Sequence, residues 1–296
     1  MLYVSFHRFG HLEILNICCH ILWGVVQFTD TCMPDLHYGK HLVGATFKII
    51  ENSSLFTCAS ECVSYGICKS FEFEFGRRAC HLNGFDDPKS LEGGGESSDF
   101  IYSSIMNWNE TTLGPCHHTI CGYTQRCSET KHGNVTCDEF LPNIAKDKPT
   151  KASSMWSRIK YPPSGAVDGN VTAIGQSGSC FSVGKGDFFP WWQVDLLDTF
   201  VVVEIRVTNR QDFKPERLHD FALDVYQDDP IVYANGSSQL CYMYNGAVTE
   251  PGKTVALQCT SPVTGRYLRL SGKKTTSRMD LLQFCEVQVF GFKLLQ

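Results

Sequence analysis

From residue 143 onward, apolar and polar positions alternate in short bursts. Val203-Glu-Ile205-Arg-Val207, Phe221-Ala-Leu223-Asp-Val225, Tyr267-Leu-Arg-Leu270 and Cys285-Glu-Val287-Gln-Val289 share this beat. A period of two places one face of each segment on a core, and no long amphipathic helix interrupts the series. Many short strands between turns predict a mainly β protein with a β-sandwich, for which roughly 150 residues make a sufficient core. The first part of the chain reads differently. Ser54-Leu-Phe-Thr-Cys58-Ala-Ser-Glu-Cys62-Val predicts a short helix capped by Ser54, with Cys58 and Cys62 on one face. Phe71-Glu-Phe73-Glu-Phe75 alternates like a half-buried strand, and Cys80-His-Leu82 predicts another. Pro88 to Ser98 is a surface loop by composition, and Pro142 to Pro149 a short linker.

Composition then assigns a compartment. The 296 residues hold fifteen cysteines and carry a net charge of −5, which argues against a nucleic-acid partner. N-x-S/T sequons at Asn52, Asn109, Asn134, Asn170 and Asn235, beside so many cysteines, point to the secretory route and to disulfides. An apolar run from Ile14 to Val26, broken by Asn16 and His20, follows a mildly basic lead and is too short for a membrane span. Residues 1–28 are therefore expected to be a signal peptide, with an apolar N-terminal strand as the weaker alternative, and the mature protein to be secreted, with no transmembrane segment. Removing Cys18 and Cys19 from fifteen leaves thirteen cysteines, an odd number, so at least one thiol is free or pairs with another chain.

The cysteine and aromatic spacing over residues 32–106 resembles the PAN/apple module, a small α+β fold of one sheet on one helix. That resemblance implies the bridges Cys58–Cys80 and Cys62–Cys68. Cys32 takes the place of the first apple cysteine, but its usual partner is missing, so it is the candidate for the odd thiol and for a disulfide-linked dimer. Such modules bind proteins or sugars, which leaves other extracellular proteins as partners for this part of the chain. Cys116-His-His-Thr-Ile-Cys121, then Cys127 and Cys137, resemble the first part of an EGF-like module, truncated, over residues 114–140. In that family the pairing would be Cys116–Cys127 and Cys121–Cys137. Zinc on His117 and His118 is the alternative, disfavoured in an oxidising compartment.

Over residues 143–292 the chain resembles the F-type lectins (fucolectins), a branch of the discoidin-like jelly-roll sandwiches. Asn143-Ile-Ala-Lys, Ala166-Val-Asp168-Gly-Asn170, Gly178-Ser-Cys180, Pro190-Trp-Trp-Gln-Val-Asp-Leu, Val207-Thr-Asn-Arg210, Glu216-Arg217, Gly265-Arg-Tyr267 and Cys285-Glu286-Val fall in family order. The resemblance implies a Ca²⁺ site made by Gly165, Asp168, Asn170, Ser179, Cys285 and Glu286, a mixture of carbonyl, hydroxyl and carboxylate oxygens that suits a hard cation. Gly165 stands where relatives often have asparagine. A Cys180–Cys285 bridge would clamp the ligating loops, and Cys241–Cys259 is the second disulfide implied. By themselves, Asp168 also suits a turn cap and Glu286 a solvated strand residue.

The same resemblance implies a site for L-fucose. Arg210-Gln-Asp212-Phe-Lys-Pro-Glu-Arg217 reproduces the family's Arg-x-Asp-x₄-Arg. Guanidinium forks donate to ring and hydroxyl oxygens, and the neighbouring carboxylate holds the first fork in position. The family histidine is replaced by Ser182, and its adjacent cysteine pair by Phe213-Lys214, where Phe213 offers an apolar face to a sugar. The alternative is an Arg210–Asp212 pair that only braces a loop.

No His-Glu-x-x-His, Gly-x-Ser-x-Gly or P-loop occurs, so the expectation is a binding protein and not an enzyme. The reading is a secreted, calcium-dependent, fucose-type lectin whose partners are fucosylated or related glycans. The alternative is an extracellular adhesion or matrix protein whose discoidin-like sandwich binds protein or lipid without sugar specificity.

Overall fold

A computed structural model describes residues 20–22, 25–27, 36–93, 99–108, 113–118, 121–172, 174, 178–233 and 236–293. Cys32, Asn109, Asn235 and most of the segment read as a signal peptide lie outside the described residues.

Leu55–Ser64 is the one α-helix among the described residues. The Ser54 hydroxyl accepts the Thr57 N–H at 3.2 Å, which satisfies one of the free donors at the helix start. The helix packs on a five-stranded antiparallel sheet ordered His37–Tyr38, Phe100–Ser104, Ser70–Glu74, Ala79–Asn83, Thr46–Ile50. Cys58–Cys80 ties the helix to this sheet, and Cys62–Cys68 ties it to the turn that follows. The Phe71-Glu-Phe73-Glu alternation predicts a half-buried strand, and the structure differs. Glu72 is fully buried, because its carboxylate accepts the Leu42 N–H and pairs with His41 Nδ1 at 2.8 Å. The segment carrying those two residues covers the face that alternation assigns to water.

A hairpin follows, Gln125–Glu129 against Val135–Glu139, with Cys127 opposite Cys137. Each of these two cysteines is bridged elsewhere, to Cys116 and Cys121 respectively.

The sandwich begins at an Asn143–Phe290 bridge. Its main sheet runs Thr150–Ala152, Trp191–Thr208, Thr254–Gly272, His219–Tyr226, Ser238–Ala247, and Glu286–Phe292 pairs with the second half of Trp191–Thr208. Phe181–Ser182 pairs with Gln283–Phe284 as a separate ribbon, placing Phe181 opposite Phe284 and Ser182 opposite Gln283. Trp192, Phe181, Phe221 and Phe284 are among the large side chains that fill the core. The Trp192 indole N–H donates to the Pro163 carbonyl at 2.9 Å, so this large ring is buried with its polar atom satisfied.

The two parts of the chain share a second core. A register shift between Val202 and Glu204 changes which side chains face which way. Val202, Ile205 and Val207 stay in the sandwich core, while Val201 and Val203 join Phe47, Tyr65, Ile67, Leu141, Phe290 and Phe292. The rings of Phe47 and Phe292 lie 5.8 Å apart across this junction. Arg206 closes its edge. It donates to Glu204 at 2.7 Å, to Glu139 at 3.1 Å and to Thr124 at 2.6 Å, with its guanidinium 4.3 Å from the Phe290 ring. Among the described residues no helix is long and apolar enough to cross a membrane.

Candidate functional site

Two loop clusters at one end of the sandwich hold the residues singled out from sequence, and each is built by a strand end. At the end of Trp191–Thr208 the chain leaves the sheet at Asn209, which is fully buried. Its amide Nδ2 donates to the carbonyls of Pro215 at 2.8 Å and Val248 at 2.7 Å, and its Oδ1 accepts the Arg210 N–H at 2.8 Å. One side chain thus holds both ends of the loop that carries Arg210, Asp212 and Arg217.

Arg210 is buried, and its fork is set by two acceptors. Nε and Nη2 donate to Asp212 Oδ1 and Oδ2 at 2.8 and 2.9 Å, and Nη1 donates to Gln283 Oε1 at 3.3 Å. Burial alone would weaken its proton affinity, but the hydrogen bonds to Asp212 and Tyr161 outweigh that and carry it upward. The ring of Tyr161 lies 5.5 Å from the guanidinium carbon. Arg217 has a different environment. It is half-buried, no carboxylate hydrogen-bonds it among the described residues, and burial followed by the Arg210 charge pulls its pKa down from the usual value. Phe213 is 52% exposed, and its ring lies 5.8 Å from Arg210, 5.6 Å from Arg217 and 5.8 Å from the Lys214 ammonium.

These residues line a cleft of about 600 Å³ together with Trp156, Tyr161, Ser182, Met279, Leu281 and Gln283. The cleft combines aromatic and aliphatic walls with a few convergent polar groups, the usual make-up of a small-ligand site. Arg210, Asp212, Phe213 and Arg217 come together here as sequence order suggested. Ser182 also reaches the cleft, but it is buried and its hydroxyl donates to the Val183 carbonyl at 3.3 Å.

Sequence reasoning missed Gln283, Tyr161, Trp156 and Asn209. Gln283 is the most consequential. It is buried, and its Nε2 donates to the carbonyls of Phe213 at 3.1 Å and Lys214 at 2.7 Å while its Oε1 receives Arg210. Lys214 holds a left-handed φ of 49°, a costly conformation for a lysine that this bond braces. A signal for Gln283 existed. Strand parity puts Phe284 in the core and therefore Gln283 on the opposite side, facing Ser182.

The second cluster holds Gly165, Asp168, Asn170, Ser179, Cys285 and Glu286. Gly165 lies in the short 3₁₀ turn Pro163–Val167, and a Cβ there would stand 2.1 Å from the Gly178 carbonyl oxygen. In this chain, glycine lets that turn approach the loop bearing Ser179 more closely than a residue with a side chain would. Asp168 Oδ1 accepts the Asn170 N–H at 2.8 Å, and Asn170 Nδ2 donates to Ser179 Oγ at 3.2 Å. The Cys180–Cys285 disulfide, fully buried, joins the two loops.

Glu286 is not the solvated strand residue that alternation allows. It is fully buried, its Oε2 accepts the Gly169 N–H at 3.3 Å, and its Oε1 has no hydrogen-bond partner. Burial, followed by the negative charge of Asp168, pushes its carboxyl up to about 8. A buried carboxylate with an orphaned oxygen beside a second carboxylate costs several kcal/mol unless a cation sits between them. Among the described residues no three His, Cys, Asp or Glu side chains converge as a metal cluster, so a cation beside Asp168 and Glu286 would need the Ser179 hydroxyl and backbone carbonyls as its further donors. That set is hard and oxygen-only, and it fits Ca²⁺.

Comparison with known proteins adds family. A model described as a NedA-like, galactose-binding domain matches residues 165–270, and a PAN domain model matches residues 32–104. Fucolectin-6 of Anguilla japonica is 32% identical over 151 residues, covering 50% of this chain and 74% of that one. Fucolectin of Anguilla anguilla is 32% identical over 127 residues, covering 43% of this chain and 74% of that protein. Fucolectin-5 of Anguilla japonica matches at 32% identity over 127 residues, of which this chain spans 62% of the relative's length. Among solved structures, an F-lectin from striped bass serum shares 27% identity with a TM-score of 0.46, covering 52% of this chain and 50% of that one.

Proposed function

Because this chain belongs to the fucolectin family, we propose that it is a secreted lectin whose cleft seats a fucosyl residue of a glycan and whose second loop cluster holds Ca²⁺. One observation carries the reading: Arg210, fixed bidentately by Asp212, shares a cleft with the uncommitted guanidinium of Arg217 and the exposed ring of Phe213. A guanidinium held by a carboxylate cannot rotate away, so its remaining N–H groups are presented in a set direction without an entropy cost on binding. Arg217 donates to further hydroxyl oxygens of the sugar. Phe213 covers an apolar sugar face, and Gln283 keeps the loop under it from sagging.

Asp168 and Glu286 would hold the metal through carboxylates, Gly165, Asn170 and Cys285 through carbonyls, and Ser179 through its hydroxyl. Bound there, Ca²⁺ supplies the positive charge that the buried pair of carboxylates lacks. The disulfide from Cys180 to Cys285 passes the order of that cluster to Ser182 and Gln283, which lie two residues from either end of it and line the cleft. The N-terminal PAN module packs on the sandwich through a shared core and would offer a second recognition surface, for other extracellular proteins.

A glycan array probed with the full chain, in calcium and in chelator, tests the proposal. The expected result is binding confined to fucosylated structures and lost in chelator. Binding to protein or lipid surfaces with no glycan bound at any density would favour the adhesion alternative instead.

A further inference from the structure

We infer that the cleft takes a glycan bearing an anionic group, a sulfate ester or a carboxylate, on the residue next to the sugar seated at Arg210. The inference rests on the lectin reading above and names the ligand class within it.

The charges around the cleft do not balance. Arg210, Lys214 and Arg217 line it, and Asp212 is the one carboxylate that does. Asp212 is already held by both arms of Arg210. The acids nearest Arg217 are Glu216 and Asp280, and each has another partner. Glu216 is exposed and 3.8 Å from the Lys214 ammonium, and Asp280 accepts from His219 Nε2 at 2.9 Å. Lys185 adds a further cation on the wall formed by Trp156, its ammonium 4.9 Å from that ring. On a chain whose net charge is −5 this excess is local and not a general basicity.

Arg217 is the focus. Burial and the neighbouring Arg210 charge both oppose its charged form, a cost that an arriving anion relieves and a neutral hydroxyl does not. Guanidinium and ammonium donors bind the oxygens of sulfate and carboxylate through charge-assisted hydrogen bonds, which are about twice as strong as neutral ones. The space agrees, because a cleft of about 600 Å³ exceeds what one sugar ring fills. Its apolar rim, Phe213 and Met279, lies beside Lys214 and Arg217, so a second residue leaving the fucosyl position passes those two cations.

The test uses the full chain in calcium with four surfaces of equal glycan density. They carry a neutral fucosylated trisaccharide, its mono-sulfated form, its carboxylate form, and a sulfated trisaccharide without fucose. Both anionic fucosylated probes are expected to bind about five- to tenfold tighter than the neutral one at low salt. That ratio should shrink as salt rises, and it should fall toward one in Lys214→Gln. Equal affinity for neutral and anionic fucosylated probes overturns the inference and leaves the lectin reading intact. A sulfated probe without fucose that binds as tightly as the fucosylated ones also overturns it, since charge alone would then suffice. No binding to either the neutral or the anionic fucosylated probes removes the lectin reading and the inference together.

Discussion

Tyr161 touches both loop clusters: its ring lies 5.5 Å from the Arg210 guanidinium and packs on the Cys180–Cys285 disulfide. Arg210 is the anchor of the candidate sugar cleft, and the disulfide joins the two loops of the candidate metal cluster. A tyrosine clamped between them couples order in one to geometry in the other.

Chelation should therefore weaken glycan binding as well as stability. With calcium about a hundredfold above its Kd, the native state gains about 2.7 kcal/mol by mass action. A melting curve in excess chelator should lie lower by roughly 5–10 °C. Glu286→Gln should abolish that calcium response. In chelator, at a pH above about 8 where this carboxyl ionises, it should melt higher than the parent chain, because it removes the charge from a buried group whose Oε1 has no partner. A calcium response retained by Glu286→Gln would refute the assignment.

Gln283 should matter more than Ser182. Removing its amide frees two carbonyls and one arginine donor, all in partly or fully buried positions. Gln283→Leu should cost about 2–3 kcal/mol of stability and at least tenfold in glycan affinity. Ser182→Ala loses one long bond to a neighbouring carbonyl and should change affinity less than threefold. Titration of the two variants on one fucosylated surface compares them directly.

Arg210→Ala and Arg217→Ala should separate stability from binding. Each loses charge-assisted bonds worth roughly 1.5–3 kcal/mol to the ligand, or about ten- to a hundredfold in affinity. Arg210→Ala should also lower the melting temperature, since it removes three hydrogen bonds from partly or fully buried positions, two to Asp212 and one to Gln283. Arg217→Ala should leave the melting temperature unchanged within about 2 °C, because no carboxylate hydrogen-bonds it among the described residues. A stable Arg217→Ala that binds like the parent chain would show that the cleft does not use it.

His219 gives the loop beside the cleft a pH dependence. Its ring is held by Asp220 at 3.1 Å and by Asp280 at 2.9 Å. Burial works against its charge, but the hydrogen bonds to Asp280 and Asp220 prevail, so its pKa lies above the ordinary 6.5. A raised value in the fold means that this stabilisation is complete below pH 6.5 and is lost as pH climbs through the folded value. An NMR titration of His219 should give a midpoint above 6.5, and Asp280→Asn should lower it.

The shared core makes the sandwich dependent on what precedes it. A fragment of residues 143–296 would expose Val201, Val203, Phe290 and Phe292, which are buried in the full chain. It should bind a hydrophobic dye and self-associate, while the full chain does neither. Arg206→Ala in the full chain strips the cation from Glu204, which is 3% exposed, and should cost about 2–3 kcal/mol in chemical denaturation.

Local pattern determined the strand and helix content, because periodicity and capping act within a few residues. Ser54 caps the helix as its sequence context requires, and the alternation around Phe221 and Val225 matches their burial. The order Arg210, Asp212, Arg217 also determined a pre-set fork, since a carboxylate two residues from a guanidinium reaches it directly. What tertiary structure decided is which polar residues lose their water. Glu72, Glu204 and Glu286 occupy the outward beat of their strands, yet all three are buried. In each case a distant segment covers the face: the chain at His41–Leu42, the N-terminal module, and the turn at Gly169. Burial of that kind depends on contacts between residues tens or hundreds of positions apart, and period-two alternation carries no record of them. Gln283 and Tyr161 belong to the same class, because what makes them part of the cleft is the approach of loops that only the closed sandwich brings together.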